Sequence, residues 1–111
     1  MKLVYIAGPY RGLNHFETHR NINRAWEAAI AVIACPGCFP VVPHLNTAHM
    51  DESASPQYFL VGTLELMKRC DAVLLMEGWE RSEGARAEYQ KAKCLLMPIY
   101  KSIDALRKDG E

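Results

Sequence analysis

The sequence predicts an α/β fold, a three-layer, doubly wound parallel sheet of four to five strands in the flavodoxin or Rossmann manner. Three observations predict it. Four short apolar runs, residues 3–7, 39–42, 72–76 and 95–100, are nearly unbroken, as strands covered on both faces are. Segments with helical spacing lie between them. Glycine or proline follows the first three runs, at Gly8, Pro43 and Gly78, where a chain leaving a sheet must turn.

Residues 3–7 form the first strand, closed by Gly8-Pro9. Asn14, with Glu17 three residues on, reads as a helix cap, and Ile22, Trp26, Ile30 and Ile33 recur at helical spacing as a core stripe up to Pro36-Gly37. Residues 39–42 are the second strand. The polar segment 44–57, with Asn46, Asp51 and Ser53, reads as a functional loop. Residues 58–69 are helical through Phe59, Leu60, Leu64 and Met67, and residues 72–76 make an inner strand. Helix formers dominate from Glu83 to Lys93, residues 95–100 supply the last strand, and residues 103–108 a short closing helix. There is no internal repeat, and 111 residues that are 50% apolar suffice for one domain, residues 1–111, with its own core.

Thirteen basic residues balance thirteen acidic ones with no like-charge run, which argues against a nucleic-acid partner. Apolar stretches such as 28–35 fall far short of the roughly 20 residues that span a bilayer, so no membrane partner is expected. The start reads as a strand and not as a secretory signal. With four cysteines expected as reduced thiols, that points to the cytoplasm. Cys35-Pro36-Gly37-Cys38 has no second pair to complete a zinc site, and it lies after a helix, the reverse of a thioredoxin-type arrangement. His15 and His19 share a helix face without an acidic partner at a telling spacing, so no metal is expected. Asp71 reads as a structural residue at a helix-to-strand junction.

Two loops meet at the carboxyl edge of such a sheet, residues 8–12 and 78–84. Both suit an anion: a helix N-terminus offers free N–H groups, Ser82 a hydroxyl, the glycines close approach, and Arg11 a bidentate fork. Ser82 is equally well placed to be a simple N-cap. Glu88 follows Gly84 by four residues, on the same helix face and roughly 6 Å along the axis. That is about the span from a 5′-phosphate to an anomeric carbon, and a carboxylate there can attack a glycosidic carbon.

Residues 4–12, Val-Tyr-Ile-Ala-Gly-Pro-Tyr-Arg-Gly, and Ser82-x-Gly84-x-x-x-Glu88 resemble the two signature segments of the nucleoside 2-deoxyribosyltransferase and 2′-deoxynucleoside 5′-monophosphate N-glycosidase superfamily, closest to a bacterial and phage branch. The resemblance implies an enzyme that hydrolyses or exchanges the N-glycosidic bond of a nucleotide. Glu88 would be the nucleophile and Tyr5 the phenol that orients it. Arg11, Gly12, Ser82 and Gly84 would cradle the 5′-phosphate, Gly8, Pro9 and Tyr10 would complete the substrate site, and His44 would line the nucleotide pocket; Trp79, by its position after a glycine at the strand end, suits stacking on a base or packing. A small-molecule nucleotide or nucleoside is the implied partner, within a homodimer or higher homo-oligomer, and no cofactor is implied.

Serine at position 82, where transferases acting on free nucleosides carry Asp, resembles the hydrolases of monophosphates. The family also usually places an Asp beside the nucleophile where this chain has Thr63, which cannot be a general acid near neutral pH; Asp51 or Glu65 are the residues that could substitute. The same departure leaves open a non-catalytic nucleotide sensor. A phosphoryl-transfer enzyme is disfavoured, for want of a P-loop lysine.

Overall fold

Alternation of strand and helix dominates the computed structural model, which describes residues 1–109. Four strands, β1 (Lys2–Ala7), β2 (Cys38–Val41), β3 (Ala72–Leu75) and β4 (Ile99–Tyr100), form one parallel sheet in the order β2-β1-β3-β4. Five helices connect and follow them: α1 (His15–Ile33), α2 (Pro43–Asn46), α3 (Pro56–Lys68), α4 (Glu83–Cys94) and α5 (Ile103–Asp109). The chain reverses its direction of winding between β1 and β3, the crevice where open α/β sheets take their ligands.

The alternation of β1 divides the core into two layers. Val4 and Ile6 pack with Ala25, Ala29 and Val32 of α1 and Leu106 of α5. Tyr5 and Ala7 turn the other way, onto Met67 of α3 and Ala92 of α4. This gives the expected three layers, helices on both faces of a four-stranded sheet, and the apolar continuity of residues 3–7 and 72–76 follows from burial on both sides. Asp71, at the entry to β3, ties that strand to β1, its carboxylate accepting the Leu3 amide at 2.8 Å.

Two expectations need correction. The stripe Trp26, Ile30 and Ile33 is not core: these residues are 53%, 49% and 60% exposed, and only Ile22 of that set is buried. The buried face of α1 is Asn21, Ile22, Ala25, Ala29 and Val32. Alanines let the helix approach the sheet closely, and the larger side chains are turned to its flank. The last strand is also shorter than residues 95–100. α4 ends in a Schellman-type turn, with Leu96 at φ 58° and the Met97 amide bonded to the Ala92 carbonyl at 3.0 Å, so only Ile99–Tyr100 pairs in the sheet. The expected cap of α1 is present, Asn14 accepting the Glu17 amide at 2.9 Å. All four cysteines are free thiols. Among the described residues no helix is long and apolar enough to cross a membrane.

Candidate active site

A cleft of about 590 Å³ opens at the carboxyl ends of β1 and β3, walled by the loop after β1, the segment from α2 to α3, and the start of α4. The two loops singled out in the sequence do meet there, but they are built differently. In the loop after β1, a Cβ on Gly8 would lie 2.5 Å from Met76 Sδ and 2.7 Å from Met76 Cβ, and one on Gly12 would collide with Glu17 Cβ. The Gly12 amide is already bonded, to the Thr18 hydroxyl at 2.9 Å. These two glycines serve the packing of the protein itself, and Gly12 does not line the cleft.

α4 presents the opposite case. Gly78, at φ 88°, turns the chain out of β3 into a short 3-10 turn, Trp79–Arg81. Ser82 then caps α4, its Oγ accepting the Ala85 amide at 3.1 Å. The N-cap role is therefore real, and the hydroxyl keeps its own proton to donate. The amides of Glu83 and Gly84 belong to the first helical turn, which has no intrahelical acceptor to offer them. A Cβ added at Gly84 would meet nothing within 4 Å, so neither packing nor backbone geometry calls for glycine there.

Glu88 lies one turn further along α4, only 6% exposed yet on the cleft wall. The Tyr5 phenol, itself fully buried beneath the sheet edge, donates to the Glu88 carboxylate. Thr63 comes from α3 to the same place. Its hydroxyl donates to the Leu60 carbonyl at 3.1 Å; turned, the same proton serves Glu88. Burial pushes the Glu88 carboxyl up to about 7, against the opposing pull of the Tyr5 and Thr63 hydroxyls. Burial, and then the neighbouring Glu88 charge, drives the Tyr5 phenol well above its ordinary value, so it remains a proton donor.

The cleft wall opposite α4 is a bonded strap. Tyr10 donates to Asp51 at 2.7 Å and accepts the His49 amide at 3.1 Å, and Arg11 reaches the other Asp51 oxygen at 3.4 Å. The polar segment 44–57 thus contributes to the cleft, partly as α2 and a short 3-10 turn, Asp51–Ser53. His44 is 4% exposed, with Nε2 3.2 Å and 3.0 Å from the Gly8 and Pro9 carbonyls. Carbonyls only accept, so Nε2 carries the proton. Nδ1 is buried without a partner, and burial lowers the pKa of the ring, which stays neutral. His44 therefore holds the loop after β1 in shape.

Of the residues expected at the site, Gly8, Pro9, Tyr10, Arg11, His44, Thr63, Ser82, Gly84 and Glu88 share the cleft, and Tyr5 reaches it through Glu88. Trp79 does not line it. Its ring packs on Tyr89 with centroids 4.6 Å apart. Glu65 also lies outside, exposed and paired with Lys68 at 2.9 Å. Asn21, Arg24 and Arg81 line the cleft and were missed. Asn21 left a signal: it is a polar residue next to Ile22 on the helix face that Ala25 buries, and its amide donates to the Tyr10 carbonyl at 3.1 Å.

A family model described as "Domain of unknown function (DUF4406)" matches residues 2–101. No curated protein matches the chain. The fold is shared with a 2-desoxiribosyltransferase from Leishmania mexicana, at TM-score 0.60 and 18% identity over 89% of this chain and 62% of that one. It is also shared with a 2-deoxyribosyltransferase from the psychrotolerant bacterium Bacillus psychrosaccharolyticus, at TM-score 0.59 and 18% identity over 87% and 69%. The chain spans less than two thirds of the length of the Leishmania protein.

Proposed function

The chain belongs to the DUF4406 family, and from that premise we propose that it binds a nucleoside 5′-monophosphate or related nucleotide and hydrolyses or exchanges its N-glycosidic bond through Glu88. One observation carries the reading: a buried carboxylate, held by a buried phenol, stands one helical turn from an unencumbered helix N-terminus in a single cleft. The phosphate sits at Ser82, Glu83 and Gly84, where amide donors and the helix dipole favour an anion, and Arg11 or Arg81 supplies a counter-charge. The anomeric carbon then lies over Glu88.

In the chemical step a Glu88 oxygen bonds to the anomeric carbon as the bond to the base nitrogen breaks; water or a second base then takes the sugar and frees the carboxylate. Tyr5 steers the nucleophile by bonding the other oxygen. The likeness of fold to two 2-deoxyribosyltransferases supports glycosyl chemistry. The free thiols support a reducing, cytoplasmic setting, and exposed Trp26, Ile30, Ile33 and Phe39 support self-association.

Incubation with a panel of nucleotides, with free base read by chromatography, tests the reading. Base release lost in Glu88→Gln supports it. Thr63 favours a second reading, a nucleotide sensor, whose mark is tight nucleotide binding with no base released from any member of the panel.

A further inference from the structure

Two features of the Glu88 environment bear on which base can leave. The first is charge. Glu88 is buried among neutral partners, the Tyr5 and Thr63 hydroxyls, and among the described residues no arginine, lysine or histidine forms an ion pair with it. A buried carboxylate without a counter-charge is costly, and a ligand that brings a positive charge to it removes that cost.

The second is the absence of an acid for the leaving group. Thr63 stands against Glu88 and cannot protonate a base near neutral pH. Asp51 accepts from both Tyr10 and Arg11, a pattern that serves a carboxylate and not a carboxylic acid. The Nε2 proton of His44 is held by two carbonyls, and its Nδ1 carries none. Glu17 and Glu83 stand in the first turns of α1 and α4, at the positive ends of the helix dipoles. Glu65 is outside the cleft. No group lining the cleft among the described residues is set to hand a proton to a departing base.

We propose that the cleft selects nucleotides whose glycosidic nitrogen belongs to a cationic ring, such as N-pyridinium or N7-alkylated purine nucleotides; the inference rests on the glycosidic reading above. The bond between the anomeric carbon and the ring nitrogen breaks as a Glu88 oxygen bonds to that carbon. Its electron pair passes to the ring, cancels the positive charge, and the base departs neutral without a proton. Water then adds to the sugar, the carboxylate is released, and one proton goes to solvent. The cation meanwhile supplies the charge that the buried carboxylate lacks and favours its ionised, nucleophilic form. Phe59 of α3, half-buried, brings an aromatic ring to the lining of the same cleft, the residue type that attracts a cation.

Guanosine 5′-monophosphate and its N7-methyl derivative, each in the ribo and 2′-deoxy series, differ by one methyl group and one charge. By titration calorimetry at pH 6.5, where the methylated ring keeps its N1 proton and its positive charge, the wild type binds the methylated nucleotide at least tenfold more tightly, and Glu88→Gln loses that preference. Equal binding of the two by the wild type overturns the proposal. In turnover, the wild type releases 7-methylguanine at least a hundredfold faster than guanine, and Thr63→Asp narrows the ratio by raising guanine release, since general acids contribute about 10²- to 10⁴-fold. Wild-type release of guanine within tenfold of 7-methylguanine overturns the proposal whether or not the variant folds. Release of neither base, with both nucleotides bound, overturns instead the glycosidic reading on which the proposal stands.

Discussion

The two glycine-bearing loops at the carboxyl edge of the sheet look alike in sequence and differ in what their glycines are for. After β1, Gly8 and Gly12 make room for Met76 and Glu17, and the Gly12 amide is already spent on Thr18. At the start of α4, Gly84 makes room for nothing in the protein, and the first turn of the helix lines an open cleft. One loop is closed by the chain's own packing; the other is left open to the cleft. The catalytic carboxylate of the account sits on the open side, and carries the cost of that position in its raised pKa.

The sharpest way to test the contrast is to remove the open side's burden. Glu88→Gln is expected to lower base release by at least 10³-fold while stabilising the fold. The sign follows from linkage. Because the folded pKa of Glu88 is about 7 against an ordinary 4.5, its contribution to stability is full below 4.5 and is lost as pH rises through 7. Chemical denaturation at pH 8 should therefore show the variant more stable by up to about 3 kcal/mol, and the gap should close near pH 4. A variant less stable than wild type at pH 8 contradicts the buried charge.

The glycines can be compared directly. Gly8→Ala should destabilise by about 1–3 kcal/mol, as overpacking against Met76 does. Gly84→Ala should hold or raise stability by up to about 1 kcal/mol, as alanine does in a helix, and weaken monophosphate binding severalfold. Equal destabilisation in thermal melts would erase the distinction between the loops.

These glycines also show how far the sequence could be read. Layers, the succession of strands and helices along the chain and the placing of Glu88 near Gly84 were legible, because apolar runs and helical spacing are local. Which glycine serves packing was not, because Met76 is 68 positions from Gly8 and meets it only across neighbouring strands. The stripe on α1 misled for a related reason: helical spacing identifies a face, but the sheet chose the flank with Ala25 and Ala29, which permits closer approach than Trp26. Resemblance alone assigns Tyr5 to Glu88, and the packing of α4 on the face of β1 that carries Tyr5 is what brings the two together. Arg24 and Arg81 left no local sign of the cleft they line.

Smaller effects refine the comparison. Ser82→Ala with Arg11→Ala should weaken binding of a monophosphate by at least tenfold, and of its free nucleoside far less, because charged hydrogen bonds contribute roughly 1.5–3 kcal/mol each. Equal losses in calorimetry would remove the phosphate from α4. Tyr5→Phe takes away a donor that holds the Glu88 pKa down, so the alkaline-rising limb of the rate, centred on about 7 in the wild type, should move to higher pH. An unmoved midpoint would show that Tyr5 does not bond the working carboxylate.

The nucleophile itself can be caught. Cleavage by trypsin after Arg86 and Lys91 frees a five-residue peptide in which Glu88 is the only side-chain carboxylate. Rapid acid quenching during turnover of a nucleotide that yields free base, followed by mass analysis of that peptide, should show it carrying the sugar phosphate, and the adduct should be absent from Glu88→Gln. Base release at the wild-type rate in Glu88→Gln, or an adduct on any other peptide, would contradict the account.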